Sequence, residues 1–208
     1  MLQRARLPCF SPGQRIGLYG GSFNPAHAGH YAAALEALKS ARLDWVWWLV
    51  SPQNPLKDPA HTEDFLERIA LARRIAAHPR FMVTDVEKRT GSRMTAETLD
   101  TLKPVLARGK FVWIMGADSL AGLHRWRRWK KLSQTLPLLV IDRPGWTFRA
   151  LSSPAARFLA PWRIKENDAA LLPGLRPPAW VFLTLPLRKE SSTAIRSGTV
   201  TAKTHRKS

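Results

Sequence analysis

Three observations predict an α/β fold with a doubly wound parallel sheet in a single domain. Apolar runs of strand length alternate with segments of helical period along the 208 residues. The composition is that of an ordinary globular chain, 45% hydrophobic and 23% charged. No repeat, low-complexity tract or shift in composition marks a second domain, and a chain of this length buries a sizeable single core.

The elements follow in order. Residues 16–20 are a short apolar run that ends in glycines, and residues 31–38 continue as an alanine-rich helical pattern, so strand, loop and helix make half of a βαβ unit. The pattern recurs: strand over 46–50, helix over 63–77, strand over 81–86, helix over 95–107, strand over 111–115, helix over 126–132, and strands over 138–141 and 181–185. Such alternation implies parallel strands covered by helices on both faces. Residues 143–178, with Pro144, Pro154, Pro161, Pro173, Pro177 and Pro178, read as a long irregular connection with one short helix around 155–159. The expected organisation is a flexible basic segment at 1–14, a domain at 15–198 and a basic tail at 199–208.

Cys9 is the only cysteine, so no intramolecular disulfide can form, and a reducing cytoplasmic location is expected. No apolar run reaches the roughly 20 residues of a membrane span, and the first fifteen residues carry Arg4, Arg6 and Arg15 without an apolar region typical of a secretory signal. The net charge of +18 favours polyanionic or phosphate-bearing partners. Eleven of the excess charges sit in three stretches, residues 1–15, 125–131 and 197–208, two of which are termini where charge commonly serves solubility.

Chemistry concentrates in Gly20-Gly21-Ser22-Phe23-Asn24-Pro25-Ala26-His27-Ala28-Gly29-His30. In a parallel α/β sheet, ligands sit beyond the carboxyl ends of the strands, where loops enter helix N-termini. Gly20 and Gly21 let backbone approach a ligand, and the helix start offers unpaired N–H groups and positive dipole to an anion. His27 and His30, three apart with the small Gly29 between them, share a helical face and aim two imidazoles at one spot. An imidazole can donate to a phosphoryl oxygen, and as imidazolium can neutralise charge in the transition state. A zinc pair and two capping histidines without a role are the competing readings; no neighbouring Cys, Glu or third His completes a metal set, so no protein-held metal is expected. Neither a G-x-x-x-x-G-K-[ST] loop nor a G-x-G-x-x-G turn is present, which removes the usual signatures of P-loop enzymes and dehydrogenases.

Near the C-terminus Ser191, Ser192, Thr193 and Arg196 read as a capped helix start with an arginine one turn on, a second place suited to an anion, or simply a capped helix. Paired with the first loop it looks like the opposite jaw of a triphosphate site.

Together, GGSFNPAHAGH and SSTAIR resemble the H-x-G-H nucleotidyltransferase superfamily and, within it, the bacterial nicotinate-nucleotide adenylyltransferases. Ser51-Pro52-Gln53-Asn54-Pro55-Leu56-Lys57, Met94-Thr95-Ala96-Glu97-Thr98-Leu99, Gly116-Ala117-Asp118-Ser119-Leu120 and Arg143-Pro144-Gly145 resemble further family blocks, in the family's order, over roughly residues 15 to 198. The resemblance implies a Rossmann-like fold and transfer of AMP from ATP to nicotinate mononucleotide, with Mg2+ carried on the ATP phosphates. By the same resemblance, His27, His30 and Arg196 are catalytic. Gly20, Gly21, Ser22, Phe23, Lys57, Gly116, Asp118, Ser192 and Thr193 join them in holding ATP, and Asn54, Lys57, Thr95 and Trp126 hold nicotinate mononucleotide.

Each of these has a plainer reading in the residues themselves. Trp126, Trp129 and Leu132 at i, i+3, i+6 would also make a core stripe. Asp118, Thr95 and Thr98 would also serve as helix caps. The chain departs from the family pattern at Asn24, at Pro55-Leu56-Lys57, at Glu190 and in the short basic tail after Arg196. ATP and nicotinate mononucleotide are the expected partners, a membrane and nucleic acid are not, and the oligomeric state is left open. The rival from another class is a basic nucleic-acid-binding module, supported by the aromatic and basic residues at 125–131, which leaves the two histidines without a purpose.

Overall fold

The computed structural model describes residues 7–52, 64–92 and 94–184. Asn54, Lys57, Ser192, Thr193 and Arg196 lie outside the described residues, as do most of the two basic termini.

Six strands form one sheet: β1 (Arg15–Gly21), β2 (Trp45–Val50), β3 (Phe81–Thr84), β4 (Lys110–Gly116), β5 (Leu138–Ile141) and β6 (Trp180–Leu183). All neighbours pair in parallel in the order β3-β2-β1-β4-β5-β6. This is the doubly wound order predicted from the alternating pattern. It places the switch of winding direction between β1 and β4, so a crevice opens beyond Gly21 and Gly116, where such sheets bind ligands.

The strands are hydrophobic on both faces because both are covered. On one face Tyr19, Val46, Trp48, Ile114 and Leu139 meet α1 (Ala28–Ser40), α2 (Phe65–Ile75) and a 3₁₀ segment at Glu166–Gly174. On the other, Leu18, Trp47, Trp113, Val140 and Phe182 meet α3 (Val86–Thr90), α4 (Thr95–Leu106), α5 (Ala117–Gly122), α6 (Trp129–Thr135), α7 (Thr147–Leu151) and α8 (Pro154–Leu159). Phe10, in the segment expected to precede the domain, packs edge-on against Trp47 at 5.7 Å and Phe111 at 5.5 Å.

Several predicted boundaries move, each for a local reason. The strand read over 81–86 stops at Thr84, whose hydroxyl accepts the Val86 N–H at 3.1 Å and turns the chain into α3; Gly91, at φ 70, ends that helix. The helix read over 126–132 starts three residues late. Trp126 is extended (φ −74, ψ 135) at the end of a 3₁₀ turn and Arg128 is left-handed (φ 58), so Trp126 is not on one helical stripe with Trp129 and Leu132. The long connection at 143–178 is more ordered than expected, with α7 and two 3₁₀ segments beside the predicted short helix. Its proline α8 start follows a rule, since Ser153 caps the Ala156 N–H at 3.2 Å and Pro154 occupies the first turn.

Candidate active site at the sheet switch point

The loop from Gly20 to His30 occupies the carboxyl end of β1, and the structure gives its small residues specific reasons. Gly20 is bare because the indole of Trp113 fills the place of a Cβ, and at Gly21 a Cβ would press on the Phe23 ring at 3.1 Å. Packing beneath the loop thus gives Gly20, and less strictly Gly21, a reason of its own beside close approach of a ligand. Phe23 adopts the left-handed φ of 44, a conformation costing about 1 kcal/mol for a bulky residue. Burial of its ring offsets that cost: it stacks on Trp48 at 4.9 Å and meets Tyr19 at 5.4 Å and His30 at 5.0 Å edge-on. Phe23 is 1% exposed, so its ring serves the core and not a ligand.

His27 and His30 form the N-terminus of α1 as a capping box made of two imidazoles. His27 is the extended N-cap (φ −151, ψ 171), and its Nδ1 accepts the Gly29 N–H at 3.1 Å. His30, three residues on, accepts the His27 N–H through Nδ1 at 3.3 Å, and the rings lie 3.9 Å apart. Because both donors are backbone N–H groups, each Nδ1 carries a lone pair and the ring proton resides on Nε2. The capping box therefore fixes both tautomers as Nε2–H.

His27 is 2% exposed, and its Nε2 has no hydrogen-bond partner among the described residues. Burial, aided by the positive charge of Arg143, lowers its pKa from 6.5 to about 4. At neutral pH His27 is a neutral donor, not the imidazolium that the sequence allowed. A buried N–H of this kind is unsatisfied until an acceptor arrives.

The neighbouring strand end completes the crevice. Gly116 caps α5 with its backbone, so Asp118 sits at the second helical position and is not the N-cap. Its carboxylate instead pairs with the Arg143 guanidinium, Nε to Oδ1 at 3.3 Å, and the two groups lie over Gly116 where a Cβ would collide with both. Arg143 also hydrogen-bonds the buried Tyr19 hydroxyl on β1. Tyr19, Asp118 and Arg143 thus link the ends of β1, β4 and β5.

Thr95 is the first residue of α4, after an N-cap at Met94 that makes no side-chain bond, so neither Thr95 nor Thr98 is the N-cap. Thr98 is buried and its hydroxyl donates to Glu87 Oε1 at 3.2 Å. Ser51, at the end of β2, hydrogen-bonds the same carboxyl group through its side chain. Burial outweighs both bonds and pushes the Glu87 pKa from 4.5 up to about 7. Trp126 is half-buried against the second face, beside Trp129. Of the basic residues at 125–131, Arg128 (3.1 Å) and Lys131 pair with Asp100 of α4, which ties α6 to α4.

Sequence reasoning missed Arg68 and Glu87 and placed Arg143 only within a family block. Arg68 is 1% exposed and donates through Nη1 to the carbonyls of Ser22 at 2.6 Å and Ser51 at 2.8 Å, and through Nη2 to that of Pro52 at 2.7 Å. A signal was there: Arg68 falls on the apolar stripe of α2 with Phe65, Ile69, Ala72 and Ile75, a position where a cation must be paired.

Among the described residues no group of three or more His, Cys, Asp or Glu side chains is arranged to hold a metal ion, and no helix is long and apolar enough to cross a membrane.

Comparison with known proteins agrees with this geometry. The cytidylyltransferase-like family model matches residues 18–198. A protein of Bradyrhizobium sp. (strain ORS 278) named "Probable nicotinate-nucleotide adenylyltransferase" is 50% identical over 183 residues, 88% of this chain and 95% of that one. A protein of the same name from Cereibacter sphaeroides is 54% identical over 182 residues, 88% and 96% of the two chains. In fold, the chain is similar to the Plasmodium falciparum nicotinic acid mononucleotide adenylyltransferase solved with NaAD, with a TM-score of 0.62 at 18% identity over 88% of this chain and 83% of that one. A sheet with its switch point at a histidine capping box, and relatives matched over nearly their whole length, lead to one conclusion: the chain belongs to the cytidylyltransferase-like family and, within it, to the bacterial nicotinate-nucleotide adenylyltransferases.

Proposed function

We propose that the chain joins nicotinate mononucleotide to ATP, giving nicotinate adenine dinucleotide and pyrophosphate in NAD biosynthesis, with the switch-point crevice as its active site. The observation that carries the site is the unsatisfied Nε2–H of His27, aimed from a capping box at the start of a 13-residue helix. The helix dipole and a fixed neutral imidazole donor suit a phosphoryl oxygen.

In the reaction, a 5′-phosphate oxygen of nicotinate mononucleotide attacks the α-phosphorus of ATP in line. The new P–O bond forms as the bond from the α-phosphorus to the α–β bridging oxygen breaks, and its electron pair leaves on that oxygen with pyrophosphate. A phosphate monoester with a second pKa near 6 is largely dianionic at neutral pH, so no protein base is required to activate it. Catalysis is then positioning together with stabilisation of charge on the α-phosphoryl oxygens and the departing pyrophosphate.

In that scheme His27 and His30 donate from Nε2, and the backbone of Gly20, Gly21, Ser22 and Phe23 lines the phosphate path. Asp118, held by Arg143 beside Gly116, faces the nucleoside, while Thr95 and Trp126 belong to the nicotinate side. Asn54, Lys57, Ser192, Thr193 and Arg196 carry the roles expected from the resemblance. Mg2+ is carried on the oxygens of ATP itself. The reducing cytoplasm suits an enzyme with one cysteine, Cys9, exposed and free.

Pyrophosphate release from ATP, measured with nicotinate mononucleotide, nicotinamide mononucleotide and phosphopantetheine as acceptors, tests the proposal. The nicotinate compound should give the highest kcat/KM; preference for the amide would overturn the acceptor, and no release with any acceptor would overturn the reaction.

A further inference from the structure

The arginine buried on the inner face of α2 has no place in the chemistry above, yet it lies between the two loops that border the crevice. Burying a guanidinium costs free energy unless its N–H groups are all directed at acceptors, and an apolar side chain would fill this stripe position at no such cost. The three hydrogen bonds given above for Arg68 all go to main-chain carbonyls, one in the loop after β1 and two at the end of β2. A planar fork of donors can span three carbonyls at fixed angles, and the point charge of a lysine cannot.

The network continues beyond Arg68. Ser51 also donates its N–H to the Gly21 carbonyl at 2.9 Å, so the end of β2 is tied to the end of β1 by backbone as well. Through its side chain Ser51 meets Glu87, and Glu87 receives Thr98 from the first turns of α4. A buried polar path therefore runs from the loop that carries the histidine pair, through Arg68 and the end of β2, to the helix that begins at Thr95.

We propose that Arg68 is a positioning residue for adenylyl transfer: by holding the carbonyls of Ser22, Ser51 and Pro52 together it keeps the phosphate loop in register with the end of β2 and the start of α4. The inference rests on the reaction proposed above. An in-line displacement depends on the relative placement of two bound substrates, and a misplacement of about 1 Å can lower the rate roughly 100-fold. Arg68 acts through the main-chain carbonyls it holds, and its effect belongs to the step in which both substrates must be aligned.

The test uses Arg68→Lys and Arg68→Met in the full chain, with kcat and both KM values from pyrophosphate release and with hydrogen exchange of the backbone. An interaction that matters only when both substrates are in register lowers kcat and spares KM. We expect kcat to fall at least tenfold in both variants, each KM to stay within threefold, and the loop after β1 and the end of β2 to gain exchange together. A kcat within twofold of wild type in a folded variant, or a proportional loss that follows only the folded fraction, overturns the assignment.

Should both Arg68 variants fail to fold, Thr98→Val cuts the far end of the same path: kcat lowered at least threefold at constant KM supports the path, and an unchanged kcat overturns it. If the wild-type chain releases no pyrophosphate, the reaction is refuted, and exchange alone judges the clamp, with independent loosening of the two segments as the contrary result.

Discussion

Replacing Glu87 with glutamine should make the chain more resistant to unfolding at alkaline pH, by an amount that follows from its surroundings. Its residue is 8% exposed, and it receives hydrogen bonds from Thr98 and Ser51. Those bonds favour the ionised form, burial disfavours it, and burial wins, raising the pKa from 4.5 to about 7. The folded state then binds more protons than the unfolded state between these two values, so stability falls as pH rises through that window. Below pH 4.5 the carboxyl is neutral in both states and contributes fully; above pH 7 the whole contribution is lost. A difference of about 2.5 pH units corresponds to about 3 kcal/mol, a large share of the stability of an ordinary domain. Urea unfolding of wild type and Glu87→Gln at pH 4.5 and pH 8 isolates the effect, because every other titrating group is common to both. The variant should gain about 3 kcal/mol relative to wild type between the two conditions. Parallel stabilities, with a difference constant to within about 1 kcal/mol, would show that Glu87 is already ionised in the fold and would refute the reasoning.

Other expectations follow from the same geometry. His27→Ala and His30→Ala should each lower turnover by about two to four orders of magnitude, with a fold weakened only by about 1 kcal/mol from the lost cap, as measured by pyrophosphate release and thermal unfolding; activity within tenfold of wild type would remove them from the mechanism. The imidazole of His27 should stay neutral from pH 8 down to pH 5 in the free protein, seen by nitrogen NMR, since its pKa is held at about 4. The folded state binds fewer protons there, so the contribution of His27 to stability is present above pH 6.5 and falls away towards pH 4; a midpoint near 6.5 would contradict the lowering of its pKa by burial and Arg143. Gly20→Ala should cost about 1–3 kcal/mol because its methyl group meets the buried Trp113 indole, and the smaller Trp113→Phe in the same chain should recover part of the loss.

The parts of this molecule that could be read from sequence are those written in periods and in contiguous residues. The strands at β1, β2, β4 and β5 are continuous apolar runs, and a run buried on both faces announces a covered parallel strand whatever its neighbours do. The histidine pair was legible because three-residue spacing at a helix start leaves little freedom in where the rings point. What that spacing could not carry is their protonation, since the Nδ1 acceptors and the charge of Arg143 are tertiary facts.

Short elements escaped for a related reason. α5 has six residues and α3 has five, fewer than two helical turns, so no apolar period can build up, and α3 depends on the Thr84 hydroxyl and the left-handed Gly91 to exist at all. The misplaced start of α6 is the opposite case, a regular spacing of Trp126, Trp129 and Leu132 overruled by the left-handed Arg128. Arg68 shows where such reading can be extended. A lone cation on an otherwise apolar helical stripe cannot face lipid-like core without acceptors, so its presence in the sequence already demands nearby main-chain ends, and in a doubly wound sheet the main-chain ends nearest an inner helix border the ligand crevice.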